Sequence, residues 1–408
     1  MSRIDPSRVL VFILAGGRGE RLHPLTECRP KPLVAFGGDY RLIDFTLANC
    51  FNAGFPHLRV LTQHDSTLIQ EHVQCRASHA RVYRGYAASL SCLNPEPRKV
   101  YRGTGDAVYQ NLHCLDQTQA ESVVILSSDH IYSMDYLDLV RFHCVSGSEV
   151  TVAATECPST EATQFGVLET DSGRRVIGFE EKPSVPKTIP ANPHRSLVSM
   201  GIYVFNVATL RRALTDTGHL LSLDFGRDVI PPLVSGGLVS VYNFTAFGNK
   251  LSTYWRDVGT LDAYYTSNME LLSNSVPALR RVAKWPFYRP DSCRYNISTC
   301  ATVRNSIVTQ ATTIDGDATI SRSVLSVQVS VGNGTTIEDS VLMPGVRVGK
   351  GVRIRRTIID ENVAIPDGMQ IGFDSAQDSR IGILTKAGVT VIPAGIPLVT
   401  PAPRYAFA

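Results

Sequence analysis

The sequence predicts an α/β domain built on a mostly parallel sheet, followed by a parallel β-helix. Short β-branched runs alternate with amphipathic stretches over the first two thirds of the chain, and a six-residue apolar period replaces the helical one after Thr299. At 408 residues the chain outruns a typical domain of about 100–200 residues, so more than one unit is expected. Its 43% hydrophobic and 19% charged residues exclude global disorder. The 40 Lys+Arg against 37 Asp+Glu leave a net charge of +3, without any long run of like charges. Nothing points to nucleic acid or a membrane as partner, and a small molecule is expected. The 9 scattered cysteines form no CxxC pair, which fits reduced thiols in a cytoplasmic protein. The apolar run after Arg8 is broken at once by Gly16-Gly17, so neither a signal peptide nor a membrane span is expected.

In the first part, Val9–Leu14, Leu58–Thr62, Val123–Leu126, Val150–Ala154 and Gly201–Phe205 read as strands. Between them, Arg41–Ala53, Ser66–Cys75, Asp106–Leu115 and Met134–Cys144 carry apolar residues at helical spacing. The expected division is an α/β domain over 1–271, an irregular proline-containing linker over 272–299, and a repeat domain over 300–408. In that last part apolar residues recur six apart at Ile314 and Ile320, Val331 and Ile337, Val348 and Ile354, and Ile359, Ile365 and Ile371. Coils of a β-helix bury such residues against one another, and no helix is expected among them.

The first strand runs into Leu14-Ala15-Gly16-Gly17-Arg18-Gly19-Glu20-Arg21. Glycines at a strand's carboxyl end let backbone N–H groups approach phosphate oxygens where a Cβ would collide. The spacing fits neither GxGxxG nor GxxxxGK[ST], so neither the dinucleotide nor the P-loop pattern applies. Lys31, held between Pro30 and Pro32, adds a rigid cation to a loop that already carries Arg21. Asp129 follows the apolar run Val123–Leu126 at a strand's carboxyl end, where α/β proteins bind ligands.

The stretch Leu14–Pro32 resembles the sugar-phosphate nucleotidyltransferases, and further motifs narrow the resemblance to the bacterial ADP-glucose pyrophosphorylases. These are Phe36-Gly37-Gly38 with Arg41–Phe45, Tyr101–Ala107, Asp129–Tyr132, Phe165-Gly166-Val167, Glu180–Pro183, Ser199–Phe205, Asp224-Phe225-Gly226 and Tyr254–Thr260. The resemblance implies a Rossmann-like catalytic domain, a left-handed β-helix, and a homotetramer. It also implies adenylyl transfer from ATP to glucose 1-phosphate, with pyrophosphate leaving. Because four phosphate groups meet, neutralising charge is the dominant physical problem, and Mg²⁺ on hard oxygen ligands is the expected aid.

By the same resemblance, Asp129 and Asp257 are the metal carboxylates, and Arg21, Lys31 and Asp129 the catalytic group. Leu14, Ala15, Gly16, Gly17, Gln63, Tyr101, Gly103 and Asp106 lie at the nucleotide. Gly166, Glu181, Lys182, Ser199, Asp224 and Trp255 surround the sugar phosphate, a core residue being the alternative for Trp255. Arg29, Arg41, Arg353, Arg355 and Arg380 are expected to hold a phosphorylated metabolite that sets activity, the alternative for the tail arginines being solvated strand edges.

Three positions depart from the family pattern. Glu20 stands where many relatives have Thr, Ser128 where Gly is common, and Cys28 where enterobacterial relatives carry a basic residue. The first two raise an alternative, a catalytically weak regulatory subunit; glucosamine 1-phosphate is the alternative sugar substrate. Acyl transfer, frequent on hexapeptide β-helices, is disfavoured because all 10 histidines precede the repeat.

Overall fold

The computed structural model describes residues 4–84, 88–95, 100–247, 253–273 and 296–398. They form two compact units, one of residues 4–17 and 43–255, the other of residues 18–42, 256–273 and 296–398.

A nine-stranded sheet is the spine of the first unit. Val9–Ala15 lies parallel to His57–Thr62 on one side and to Ser122–Ser127 on the other, and Ser89–Leu93 continues the parallel order. Val9–Ile13 are all at most 2% exposed, the continuous apolar run expected of a strand covered on both faces. One long strand, Arg195–Asn206, runs antiparallel to Ser122–Ser127 and Val150–Pro158. The chain reaches it through the hairpin Gly166–Thr170/Val176–Glu181 instead of a crossover helix, which permits the reversal. Val239–Asn243 closes that edge parallel to Val150–Pro158.

Helices Leu42–Ala53, Ser66–Arg84 and Tyr136–Ser146 match the amphipathic stretches. The last begins at Asp135, whose carboxylate accepts from Leu137 N and Asp138 N, and stops at left-handed Gly147. The helix expected over Asp106–Leu115 is instead a short helix, Thr104–Tyr109, and a 3₁₀ turn, Leu112–Leu115. Asn111 leaves helical backbone between them, and its amide donates to Ala107 O and Tyr101 Oη.

The second unit is a β-helix of three sheets, parallel except where Ile383–Leu384 pairs antiparallel with Thr390–Ile392, carrying two segments from earlier in the chain. Its period corrects the simple hexapeptide expectation: Ile320 pairs with Ile337 and Ile337 with Ile354, so each coil takes 17 residues. The inward positions run Ile320, Leu325, Val331, Ile337, with one five-residue step per coil, and all are at most 1% exposed. The short step turns on Asn305, Arg322, Asp339 and Arg356, whose φ values of 42° to 46° stack one left-handed corner above the next. Beside them Ser323 N, Ser340 N and Thr357 N donate to Ser306 Oγ, Ser323 Oγ and Ser340 Oγ, so the buried corner leaves these amides satisfied.

A helix does interrupt the tail. Ser375–Ile381 starts at Asp374, which accepts from Ala376 N and Gln377 N, and Asp378, 3% exposed, accepts from Gly372 N and Thr390 Oγ1. The seven-residue element is too short to show a helical period, and it widens the last coil so that Ile358 pairs with Val391.

Segments 18–42 and 256–273 fall inside the region read from sequence as the first domain, yet they are compact with the β-helix. Tyr264 Oη donates to Ala35 O, Gly37 N to Asn268 Oδ1, and Tyr265 Oη to Asp339 O. Most of the expected linker 272–299 lies outside the described residues.

Candidate active site

In the first unit the glycine loop leaves its strand after Ala15, and the Leu14 carbonyl accepts from Ser128 Oγ at 2.7 Å. Ser128 is 2% exposed, so the residue that departs from the family pattern is built in as a tie between the glycine loop and the segment bearing Asp129. Its neighbour Ser127 donates to Asp129 Oδ1, and His130 Nε2 lies 3.6 Å from the same oxygen. A Cβ at Gly16 would touch Gln63 at 3.4 Å, whereas one at Gly17 would meet nothing within 4 Å. Gln63 Oε1 accepts from Tyr101 N, which holds the 63 and 101 loops together.

Gly103 is required. Its φ is 152°, and a Cβ there would lie 2.3 Å from Leu223 O. Asp106 is fully buried and accepts from Arg102 N, Nε and Nη2 and from Gln110 Nε2. Burial alone would raise its carboxyl pKa, but the Arg102 and Gln110 bonds hold it below the usual range. Asp106 therefore shapes the loop. Arg102 continues to Leu220 O and Gly218 O, and Thr104 Oγ1 donates to Asp224 Oδ2 at 2.7 Å. Arg102 and Thr104 were not singled out from sequence, although the Arg102–Asp106 i,i+4 spacing is a legible signal.

On the sugar side, the Glu181 carboxylate fits between two glycines: a Cβ at Gly166 would lie 2.9 Å from its Oε2, and one at Gly226 2.5 Å. Lys182 has a φ of 51°, donates its N–H to Phe165 O, and extends a largely exposed side chain whose Nζ is 3.3 Å from Glu181 Oε1. Ser199 is 8% exposed and accepts from Gly201 N. Trp255, 7% exposed, meets His130 and Phe165 edge-on at 5.1 and 5.4 Å, a packed wall beside Asp129's neighbour.

The second unit holds the other charges. Lys31 is 8% exposed, and its Nζ is 3.8 Å from Asp257 Oδ1. A Cβ at Gly259 would lie 2.9 Å from Arg21 Nη2 and 3.0 Å from Asp257 Oδ2, so Arg21 and Lys31 both stand close to the Asp257 carboxylate. Gly19, at φ 68°, makes room for Lys31, whose Cβ would be 2.7 Å from any Cβ there. Glu20 is exposed, as is Cys28. Arg29 and Arg41 pair with Asp360 and Glu361. Arg353 is exposed and stands 4.5 Å over the Phe373 ring, while Arg355 and Arg380 are exposed. The eight described cysteines are free thiols, and among the described residues no helix is long and apolar enough to cross a membrane.

A strand-end glycine loop with Asp129 at a neighbouring strand end in the first unit, and Arg21 and Lys31 with Asp257 in the second, are the parts of a phosphoryl-transfer enzyme. The nucleotidyl transferase family model matches residues 10–274, and a GlmU-like C-terminal hexapeptide model, the sequence class of the left-handed β-helix, matches residues 294–392. The chain belongs to the nucleotidyl transferase family and is a nucleotidyltransferase. More particularly, it is similar to glucose-1-phosphate adenylyltransferases. Glucose-1-phosphate adenylyltransferase 1 of Vibrio vulnificus strain YJ016 is 43% identical over 285 residues, 69% of this chain and 70% of the relative. The Shewanella frigidimarina enzyme of that name is 44% identical over 281 residues, 68% and 67% of the two chains. That of Photobacterium profundum is 43% identical over 289 residues, 69% and 70%.

Proposed function

We propose that the protein transfers the adenylyl group of ATP to α-D-glucose 1-phosphate, giving ADP-glucose and pyrophosphate, in α-glucan synthesis. What supports this reading is that the chain carries Arg21, Lys31, Asp129, Lys182 and Asp257 at positions the family resemblance marks, and that its relatives are named glucose-1-phosphate adenylyltransferase. A phosphate oxygen of the sugar 1-phosphate attacks the α-phosphorus of ATP as the bond to the β-phosphate breaks, and the displaced pyrophosphate carries away the negative charge.

Arg21 and Lys31 hold the β- and γ-phosphates and stabilise the leaving pyrophosphate. Leu14–Gly17 present backbone donors, and Gln63, Tyr101 and Gly103 shape the nucleotide side. Lys182 grips the sugar phosphate, and Glu181, Ser199 and Asp224 meet sugar hydroxyls against Trp255. Hard carboxylate oxygens at Asp129 and at Asp257 suit Mg²⁺, which when bound offsets charge on the triphosphate. The exposed arginines Arg353, Arg355 and Arg380 are the tail cations for a phosphorylated effector. The homotetramer and the cytoplasmic location belong to the same proposal, and sedimentation reads the first.

Ser128 and Glu20 do not favour the regulatory-subunit reading: one hydroxyl is accommodated by Leu14 O and the other side chain is exposed. The test is a matrix of nucleoside triphosphates against sugar 1-phosphates with pyrophosphate release as readout. ATP with glucose 1-phosphate is expected to exceed every other pair. A matrix led by glucosamine 1-phosphate or by another base overturns the substrate assignment.

A further inference from the structure

Arg29 and Arg41 are already engaged within the second unit. Arg29 is 8% exposed and donates through Nη1 to Leu25 O at 2.8 Å and to Asp360 Oδ1 at 2.7 Å, with Nε 3.5 Å from Glu361 Oε1. Arg41 repeats the arrangement, its Nη1 donating to Leu33 O at 2.7 Å and to Glu361 Oε1. The acids are held in turn: Asp360 is 1% exposed and accepts from Glu361 N at 2.7 Å and Ala394 N at 3.2 Å. Each arginine thus joins a main-chain carbonyl of segment 18–42 to a carboxylate on one β-helix corner. The two carbonyls, Leu25 and Leu33, bracket Lys31.

We propose that Asp360 and Glu361 are positioning residues for Lys31, acting through Arg29 and Arg41 as a two-point clamp on residues 25–33. The proposal rests on the reading of Lys31 as a polyphosphate-holding cation. Two guanidinium groups that meet at one oxygen repel each other unless an anion lies between them, and Glu361 supplies that anion from within the chain. Removing its charge loosens the Arg41 end of the clamp while the Asp360 end stays. Since an error of about 1 Å in placing a catalytic group can cost about 100-fold in rate, partial loosening is readable in kinetics. A small oxyanion of the right charge can take the vacated carboxylate's place. Inorganic phosphate is the probe, because a guanidinium binds its oxygens as it binds a carboxylate.

Glu361→Gln keeps the side chain's shape and removes its charge. Relative to wild type, its KM for ATP is expected to rise about tenfold with the KM for glucose 1-phosphate unchanged, the split a lost ATP-side interaction gives. Millimolar inorganic phosphate should return most of the loss in Glu361→Gln and should not speed the wild type. Hydrogen exchange at residues 25–33 should quicken in the variant and slow again with phosphate. Arg41→Ala, which removes the cation instead, should show the same KM rise with no phosphate rescue. Both KM values moving together, an unchanged Glu361→Gln, or phosphate speeding the wild type equally would overturn the clamp. If wild type releases no pyrophosphate, the functional reading fails, while exchange at residues 25–33 still decides the clamp.

Discussion

In the β-helix unit, residues 17 positions apart do the same work on successive coils: Ile320, Ile337 and Ile354 fill one core column, and Ser323 and Ser340 one polar ladder. In the sheet unit no site residue repeats another. Gly103 clears a path for Leu223 O, Asp106 gathers Arg102, and Thr104 ties to Asp224, three different contacts at three neighbouring positions. The repeating unit distributes its order over many equivalent small contributions. The sheet unit fixes its loops through single polar residues, so one substitution there should disturb chemistry before it disturbs stability.

A matched pair of glycines gives the largest expected effects. Gly372→Ala places a Cβ 1.7 Å from Arg355 O at a φ of 88°, a clash inside the stacked coils. It should cost about 3 kcal/mol or more in unfolding free energy, read by denaturant titration. Gly103→Ala makes a similar backbone clash in a loop, and kcat/KM should fall at least about 100-fold with most of the stability kept. Equal stability losses with equal residual activities would dissolve the contrast between the units.

A smaller effect is expected at Asp44, fully buried in the sheet unit and bonded to His72 Nε2 at 2.6 Å and to Arg76 Nε and Nη2 at 3.1 and 2.7 Å. Burial pushes its carboxyl up, but the Arg76 and His72 charges prevail and bring it down from 3.8 to about 2. A carboxyl depressed in the folded state stabilises above its unfolded value, so this contribution is present above about pH 4 and is lost as the pH falls through about 2. Asp44→Asn should cost on the order of 2 kcal/mol at neutral pH and flatten the acid limb of the stability curve. An unchanged acid limb would remove the ion pair from the account.

The smallest effect belongs to the exposed corner pair Arg322–Asp339, 2.6 Å apart on the β-helix. Arg322→Ala should change stability by less than about 1 kcal/mol and abolish no activity. A larger loss would mean that the left-handed corners are held by their side chains and not by the ladder beneath them.

This contrast also explains what could be read beforehand. Val9–Ala15 and Ser122–Ser127 were legible because buried parallel strands are unbroken apolar runs, and the β-helix because its inward residues recur. The five-residue step was hidden, since Ile314 to Ile320 and Val331 to Ile337 do lie six apart and only the return through Leu325 reveals 17. Asp129, Lys182 and Asp257 were recognisable from motifs, whereas Arg102 and Thr104 also act through contacts with distant chain segments, at Leu220 and Asp224, that no local period encodes. The placing of Arg21 and Lys31 with the β-helix was hidden for the same reason, because it depends on Arg29 and Arg41 meeting acids more than 300 residues away.

The most direct test is pyrophosphate release from ATP and glucose 1-phosphate by the purified chain, with Asp129→Ala alongside. Release that depends on both substrates and falls by about 1,000-fold or more in the variant is the predicted result, the scale expected when a group stabilising transition-state charge is removed. Wild type and Asp129→Ala releasing pyrophosphate at the same rate would contradict it.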